Sequence, residues 1–196
     1  MPRPRSDTTL QPARKRLMDA FWDLFCSTAF KQITVARVCR RAQVTRSTFY
    51  RHFSNLLNLL DQIEKEAIPV TIPAAIVDAF RDGDTMDTVW TLIMNNEGKL
   101  RRICFLLSSA GDPRFARRFK QAMADAFTAS AGTTVDDLEP EQRVKLEFIF
   151  SGFNGLLAYF GDTDSSIHPA DALKLVMPVL KEYFEPFLNA QPAVSS

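Results

Sequence analysis

The 196-residue sequence is poor in the groups that carry chemistry: it has three cysteines, two histidines and seven glycines. Cys26, Cys39 and Cys104 are an odd set with no C-x-x-C pair, which excludes a disulfide scaffold and a cysteine-held metal and implies a reduced compartment. The first two fall on or beside helical stripes and read as small core residues. His52 and His168 stand in different parts of the chain. There is no H-E-x-x-H, no glycine-rich phosphate loop, and no pair of carboxylates in an apolar setting. An enzyme is therefore not expected, and no cofactor or metal is implied. No apolar run reaches the roughly 18 residues of a membrane span. Met1-Pro2-Arg3-Pro4-Arg5 has no apolar segment behind it, so it is not a signal peptide. The expectation is a cytoplasmic protein that does not enter a membrane.

What is present is an ordinary globular composition, 46% hydrophobic and 24% charged. The net charge of +1 hides an asymmetry: residues 1–53 hold 11 Lys+Arg against 3 Asp+Glu, and residues 54–196 hold 13 against 20. A basic front and an acidic remainder suit a chain of which only the front meets nucleic acid. Residues 1–10 are polar with two prolines, and Arg3 and Arg5 read as a solvated tail rather than a minor-groove arm.

The basic front has a defined pattern. Leu17, Phe21, Leu24, Phe25 and Thr28 recur at helical spacing and predict a helix over 11–28, with Phe30 and Ile33 closing the loop after it. Thr34 is placed to cap a short helix in which Val35, Val38, Cys39 and Ala42 form the buried stripe and Arg37, Arg40 and Arg41 fall off it. Gln43-Val44 connects to a second short helix capped by Thr45. There Phe49 and Phe53 share the inner face, with Val44 and Phe49 filling the angle between the helices. Arg46, Ser47, Thr48, Tyr50, Arg51 and His52 fan around the outer face; all are hydrogen-bond donors and two are permanently cationic. Such a face suits base edges and phosphates, and two short helices with a tight turn make a helix-turn-helix. Thr34, Arg37, Thr45, Arg46, Ser47, Thr48, Tyr50, Arg51 and His52 are the candidate DNA contacts, with Arg46 at base edges and Tyr50 and His52 at phosphates. Ser54-Asn55 then caps a fourth helix, whose inward stripe is read as Leu57, Leu60 and Ile63, leaving Leu56 exposed.

The run Phe30 … Ile33-Thr34-Val35 … Val38-Cys39-Arg40-Arg41-Ala42-Gln43-Val44-Thr45-Arg46-Ser47-Thr48-Phe49-Tyr50-Arg51-His52-Phe53 resembles the DNA-binding head of the TetR family of bacterial repressors. Two positions depart from that family's pattern. Gln43 stands where a glycine is usual, and is tolerable only if the backbone there avoids a positive φ. Leu56 stands where a phosphate-facing lysine is usual.

The remainder reads as all-helical, with helices expected at 73–82, 85–95, 98–109, 113–129, 140–160 and 169–188. Gly83, Gly98, Gly111, Gly132 and Gly161 mark the breaks, and Pro178 should kink the last helix. The fold class is thus all-α, with a helix-turn-helix head at 1–68 and an effector-binding and dimerisation body at 69–196. The helix at 140–160 is apolar nearly all round and must bury both sides. Phe148, Gly152, Gly155, Leu156 and Tyr159, together with Leu173, Met177, Leu180 and Phe184 of the last helix, are the candidate homodimer interface. The resemblance implies an effector pocket, for which Trp90, Met94, Phe105, Phe119, Met123, Phe150, Phe153 and Asn154 are the candidates. The expected function is a homodimeric repressor on a palindromic double-stranded DNA operator, released by an apolar small-molecule effector. The alternative is a DNA-binding protein with no small ligand, governed by a protein partner or by its abundance.

Overall fold

The computed structural model describes residues 10–81 and 87–188. Arg3, Arg5 and Gly83 lie outside them. Among the described residues all regular structure is helical. Four helices come first: α1 (Leu10–Phe25), α2 (Val35–Ala42), α3 (Arg46–His52) and α4 (Leu56–Ala67), with a 3-10 turn at Phe30–Gln32. Six follow: α5 (Thr71–Arg81), α6 (Asp87–Asn95), α7 (Glu97–Leu107), α8 (Pro113–Ala131), α9 (Pro140–Asp162) and α10 (Pro169–Leu188). The chain divides into two compact units after Glu66.

In the head, helix α1 ends three residues before its expected limit of 28. Its last carbonyls are taken by side chains and tight turns: the Ser27 hydroxyl donates to the Asp23 carbonyl at 2.8 Å, and local capping of this kind competes with a further helical turn. Leu17 and Phe21 of α1, Val38 of α2 and Phe49 of α3 are wholly buried and form one core. Arg14 on α1 ties in two further elements. Its guanidinium lies 5.8 Å from the centre of the Phe53 ring and 2.8 Å from Glu66 on α4. The inward stripe of α4 is Leu59, Leu60 and Ile63 rather than Leu57, Leu60 and Ile63. Asn55 caps the helix by accepting from the Asn58 N–H at 2.8 Å, which fixes its phase. Leu57 is thereby turned out, 46% exposed, while Leu56 is half-buried.

In the body, caps punctuate the helices where the sequence suggests. The Asp112 carboxylate accepts from the Arg114 N–H at 2.9 Å, with Pro113 in the first turn of α8. The hydrogen bond from the Arg114 side chain holds the Asp112 carboxyl below its ordinary range. Gly132, at φ 83°, ends that helix. Glu139 and Gln142 form a capping box at the start of α9. The break expected at Gly161 falls two residues later: α9 continues to Asp162, and Gly161 lets the backbones of α9 and α7 touch. A Cβ on Gly161 would lie 2.1 Å from the Cys104 carbonyl oxygen. Cys104 itself is sealed in this crossing, and burial pushes its thiol pKa up to about 11.

Gly161→Ala should therefore destabilise the protein by about 1–3 kcal/mol, since backbone cannot yield as a side-chain tip can. Gly98 on α7 has nothing within 4 Å of a would-be Cβ. Gly98→Ala should instead stabilise by about 0.5–1 kcal/mol through helix propensity. Paired thermal melts check both: equal midpoints for the two variants would contradict the close crossing.

Candidate nucleic-acid interface and body cavity

The geometry of α3 is set by the turn before it. Gln43 sits at φ 54°, ψ 47°, the one non-glycine residue at positive φ among the described residues. Its N–H reaches the Arg40 carbonyl at 3.3 Å, and the Val44 N–H reaches the Cys39 carbonyl at 3.0 Å. This is the Schellman pattern of helix termination, with glutamine in the left-handed position normally given to glycine. The expectation that glutamine is tolerated because the backbone avoids positive φ is thus incorrect. The turn demands the conformation, and the flanking hydrogen bonds impose it on a side chain that is exposed. Both helices are capped as the sequence suggests: Thr34 Oγ1 accepts from the Arg37 N–H at 3.2 Å, and Thr45 Oγ1 from the Thr48 N–H at 3.2 Å.

The outer face of α3 is left open. Arg46, Ser47, Tyr50 and Arg51 are exposed, Tyr50 by 59%. Among the described residues neither Arg46 nor Arg51 has an ion-pair partner within the chain. Ser47 and Thr48 share the Thr45 hydroxyl at 2.8 and 2.9 Å, so these three oxygens form a preset polar cluster at the N-terminus of α3. Other candidates are committed elsewhere. The Arg37 guanidinium donates to the Gln32 carbonyl at 2.8 Å and braces the loop before α2. Arg41, also off the stripe, pairs with Asp23 at 2.8 Å. His52 is half-buried, and its Nε2 is shielded from solvent without a hydrogen-bond partner. Burial, with Arg51 and Arg14 nearby, lowers its pKa. A phosphate contact from His52 would therefore rest on an imidazole N–H rather than on a full charge.

Residues 17–63 match the family model for bacterial regulatory proteins of the tetR family. The head is thus of the tetR type. It is a DNA-binding transcriptional regulator. The match begins in α1 and ends in α4, so it takes in the whole helix-turn-helix and none of the body. A comparison with curated proteins returned no match.

The body holds a cavity of about 90 Å³. Phe119 and Met123 of α8 and Phe150 and Phe153 of α9 line it, as the sequence suggests. Met94, Phe105 and Asn154 do not. Met94 is 47% exposed. Phe105 is half-buried away from the lining. Asn154 spends its amide on the Ala116 carbonyl at 2.8 Å, tying α9 to α8. The Trp90 side chain lies outside the described residues. Sequence reasoning missed the contributions of α5 and α7, notably Ile72, Ile76, Leu100 and Ile103, and the two polar residues of the wall, Asn96 and Lys99. Aliphatic residues at helical spacing look the same whether they meet a neighbour or a void.

The candidate interface residues separate into two groups. Phe148, Gly152, Gly155 and Tyr159 lie on an exposed side of α9, with Phe148 65% and Tyr159 52% exposed and Leu156 half-buried beside them. Leu173, Met177 and Phe184 of α10 are buried within their own chain and line the cavity, so they are not available to a partner. The Phe184 ring packs at a tilt against Phe127, centres 4.7 Å apart, which turns that side of α10 inward. The Leu180 side chain lies outside the described residues.

Two outcomes are expected in the head. Gln43→Gly should stabilise it by about 0.5–1 kcal/mol: a left-handed non-glycine residue is strained by about 1–2 kcal/mol, and glycine returns part of that as chain entropy. Urea unfolding of the variant measures this, and a loss of stability would mean the turn is not strained. Arg46→Ala should weaken operator binding by about 1–3 kcal/mol and relax base preference at one position, because Arg46 is exposed and unpaired at the entry end of α3. Binding-site selection with the variant checks it, and an unchanged preference would remove Arg46 from base reading.

Proposed function

We propose that the protein is a homodimeric repressor that reads a palindromic operator through α3 and is released when an apolar small molecule occupies the body cavity. The observation that carries the DNA part is the unpaired donor face of α3, with Arg46 and Arg51 outward and the three-hydroxyl cluster beside them. A single helix of this length reaches only a few base pairs, so useful specificity needs two copies on one duplex. Phosphate contacts supply the affinity, and the acidic body limits binding elsewhere.

The dimer is supported by the exposed side of α9. Phe148 stands beside Tyr183 of α10, their ring centres 6.2 Å apart, and Tyr159 lies further along α9. Val144 and Leu175 are 70% and 69% exposed. Apolar side chains of this size gathered on one face are what a self-complementary interface uses. Gly152 and Gly155 let a second helix come close. Release by a ligand follows from differential affinity alone: a molecule that binds better to a body conformation with mis-spaced heads lowers DNA affinity by that difference. At about 90 Å³ the cavity is smaller than the roughly 150 Å³ that holds a benzene ring. A ligand must therefore spread the helices, which couples occupancy to shape. The same smallness favours the second reading, a DNA-binding protein with no small ligand, controlled by a partner or by abundance. No catalytic step belongs to either reading, and both place the protein in the cytoplasm.

Gly155→Leu tests the assembly. A Cβ at Gly155 meets nothing within 4 Å in the chain itself, so the variant should fold as before. It should sediment as a monomer and lose most operator affinity, because the two heads are no longer linked. A variant that stays dimeric would move the interface off this side of α9.

A further inference from the structure

The chemistry of the cavity wall narrows the ligand further than size does, and the inference drawn from it rests on the effector reading above. Phe127, Phe150 and Phe184 present ring surface to the space, and Ile76, Ile103 and Leu157 present branched chains. Asn96 and Lys99 also line it, but with carbon only. The Asn96 amide nitrogen is spent on the Leu92 carbonyl at 2.8 Å. Lys99 is exposed, so water serves its ammonium. Among the described residues no nitrogen or oxygen atom faces the space.

Nor does a buried polar side chain stand ready behind the wall. Among the described residues the body buries two, Ser108 and Thr128. The Ser108 hydroxyl donates to the Phe105 carbonyl at 2.7 Å, and the Thr128 hydroxyl to the Ala124 carbonyl at 3.0 Å. Both close on the helical turn before them, and neither lines the cavity.

A buried water needs about two to four polar partners, and this wall supplies none. An entering hydrocarbon therefore competes with no well-held water, and it gains dispersion contacts on all sides. A hydroxyl or a carboxylate fares differently. It leaves its hydrogen bonds behind in bulk water and finds no replacement inside. Met123 and Met177 in the wall have adaptable side chains, which lets the space widen around a small ring.

We infer that the body cavity takes an uncharged hydrocarbon, a molecule with no hydrogen-bonding group, and rejects its alcohol and acid analogues.

Toluene and phenol are close in size and differ by one polar group, and benzoate adds a charge. Each is titrated calorimetrically into the full-length wild type, into Leu100→Phe, which fills the void, and into Leu157→Ala, which enlarges it. The expected result is binding of toluene about tenfold or more tighter than phenol, about 1.4 kcal/mol, with no detectable binding of benzoate. Leu100→Phe should lose toluene binding, and Leu157→Ala should tighten it about threefold or more. If Leu100→Phe does not fold, the enlarged variant decides alone. Phenol or benzoate binding as tightly as toluene would overturn the inference, as would toluene binding that neither variant changes. Both results leave the effector reading intact. If toluene binds neither the wild type nor Leu157→Ala, the inference is overturned, and the effector reading survives only if phenol or benzoate binds. Toluene binding as expected, but with no loss of affinity for an operator selected from random duplex DNA, would uphold the inference and remove the effector reading.

Discussion

The left-handed turn at Gln43 is the constraint on which the head depends. Two backbone hydrogen bonds, from Gln43 to Arg40 and from Val44 to Cys39, stop α2 and release the chain at a fixed angle. Thr45 can then cap α3, and Phe49 can drop into the core beneath α1 and α2. The outer face of α3 is a consequence of that angle: once Phe49 and Phe53 point inward, Arg46, Ser47, Tyr50 and Arg51 have only solvent to face. A glutamine under backbone strain at this point is paid for by the core it positions.

The body is organised around a different constraint, the close crossing of α7 and α9 at Gly161 and the aromatic cluster of Phe127, Phe150 and Phe184. Large rings packed at angles leave gaps that aliphatic neighbours do not wholly fill, which gives a physical origin for a small apolar void. In the proposed mechanism the void is useful because it is small. A ligand that binds both body shapes equally would shift no equilibrium, whereas one that must part the helices binds the parted shape better and can be felt at a distance.

Much of this was legible in the sequence, and the failures have specific causes. The helix-turn-helix was readable because its signals are local: Thr34 and Thr45 as caps, Val38 and Cys39 as a stripe, Phe49 and Phe53 one turn apart. The backbone of Gln43 was misread because residue type is only a bias on φ, and hydrogen bonding on both sides overrode it. The phase of α4 was misread by assigning Leu57 inward, since a run rich in leucine is compatible with more than one buried face. Gly161 reads in the sequence as punctuation alone, because a glycine that ends a helix and one that admits a neighbour look alike until the neighbour is placed. The pattern alone points Leu173, Met177 and Phe184 to a partner and Asn154 to the cavity for the same reason: an apolar stripe says that something covers it, not what.

The central claim is that two copies of α3 read one duplex. Selection of full-length protein against random double-stranded DNA tests it most directly. The account predicts a two-fold symmetric motif, its half-site centres separated by about one helical turn, roughly 10 base pairs, or a multiple of it. Enrichment of a single unsymmetric half-site, or no enrichment over the starting pool, would contradict it.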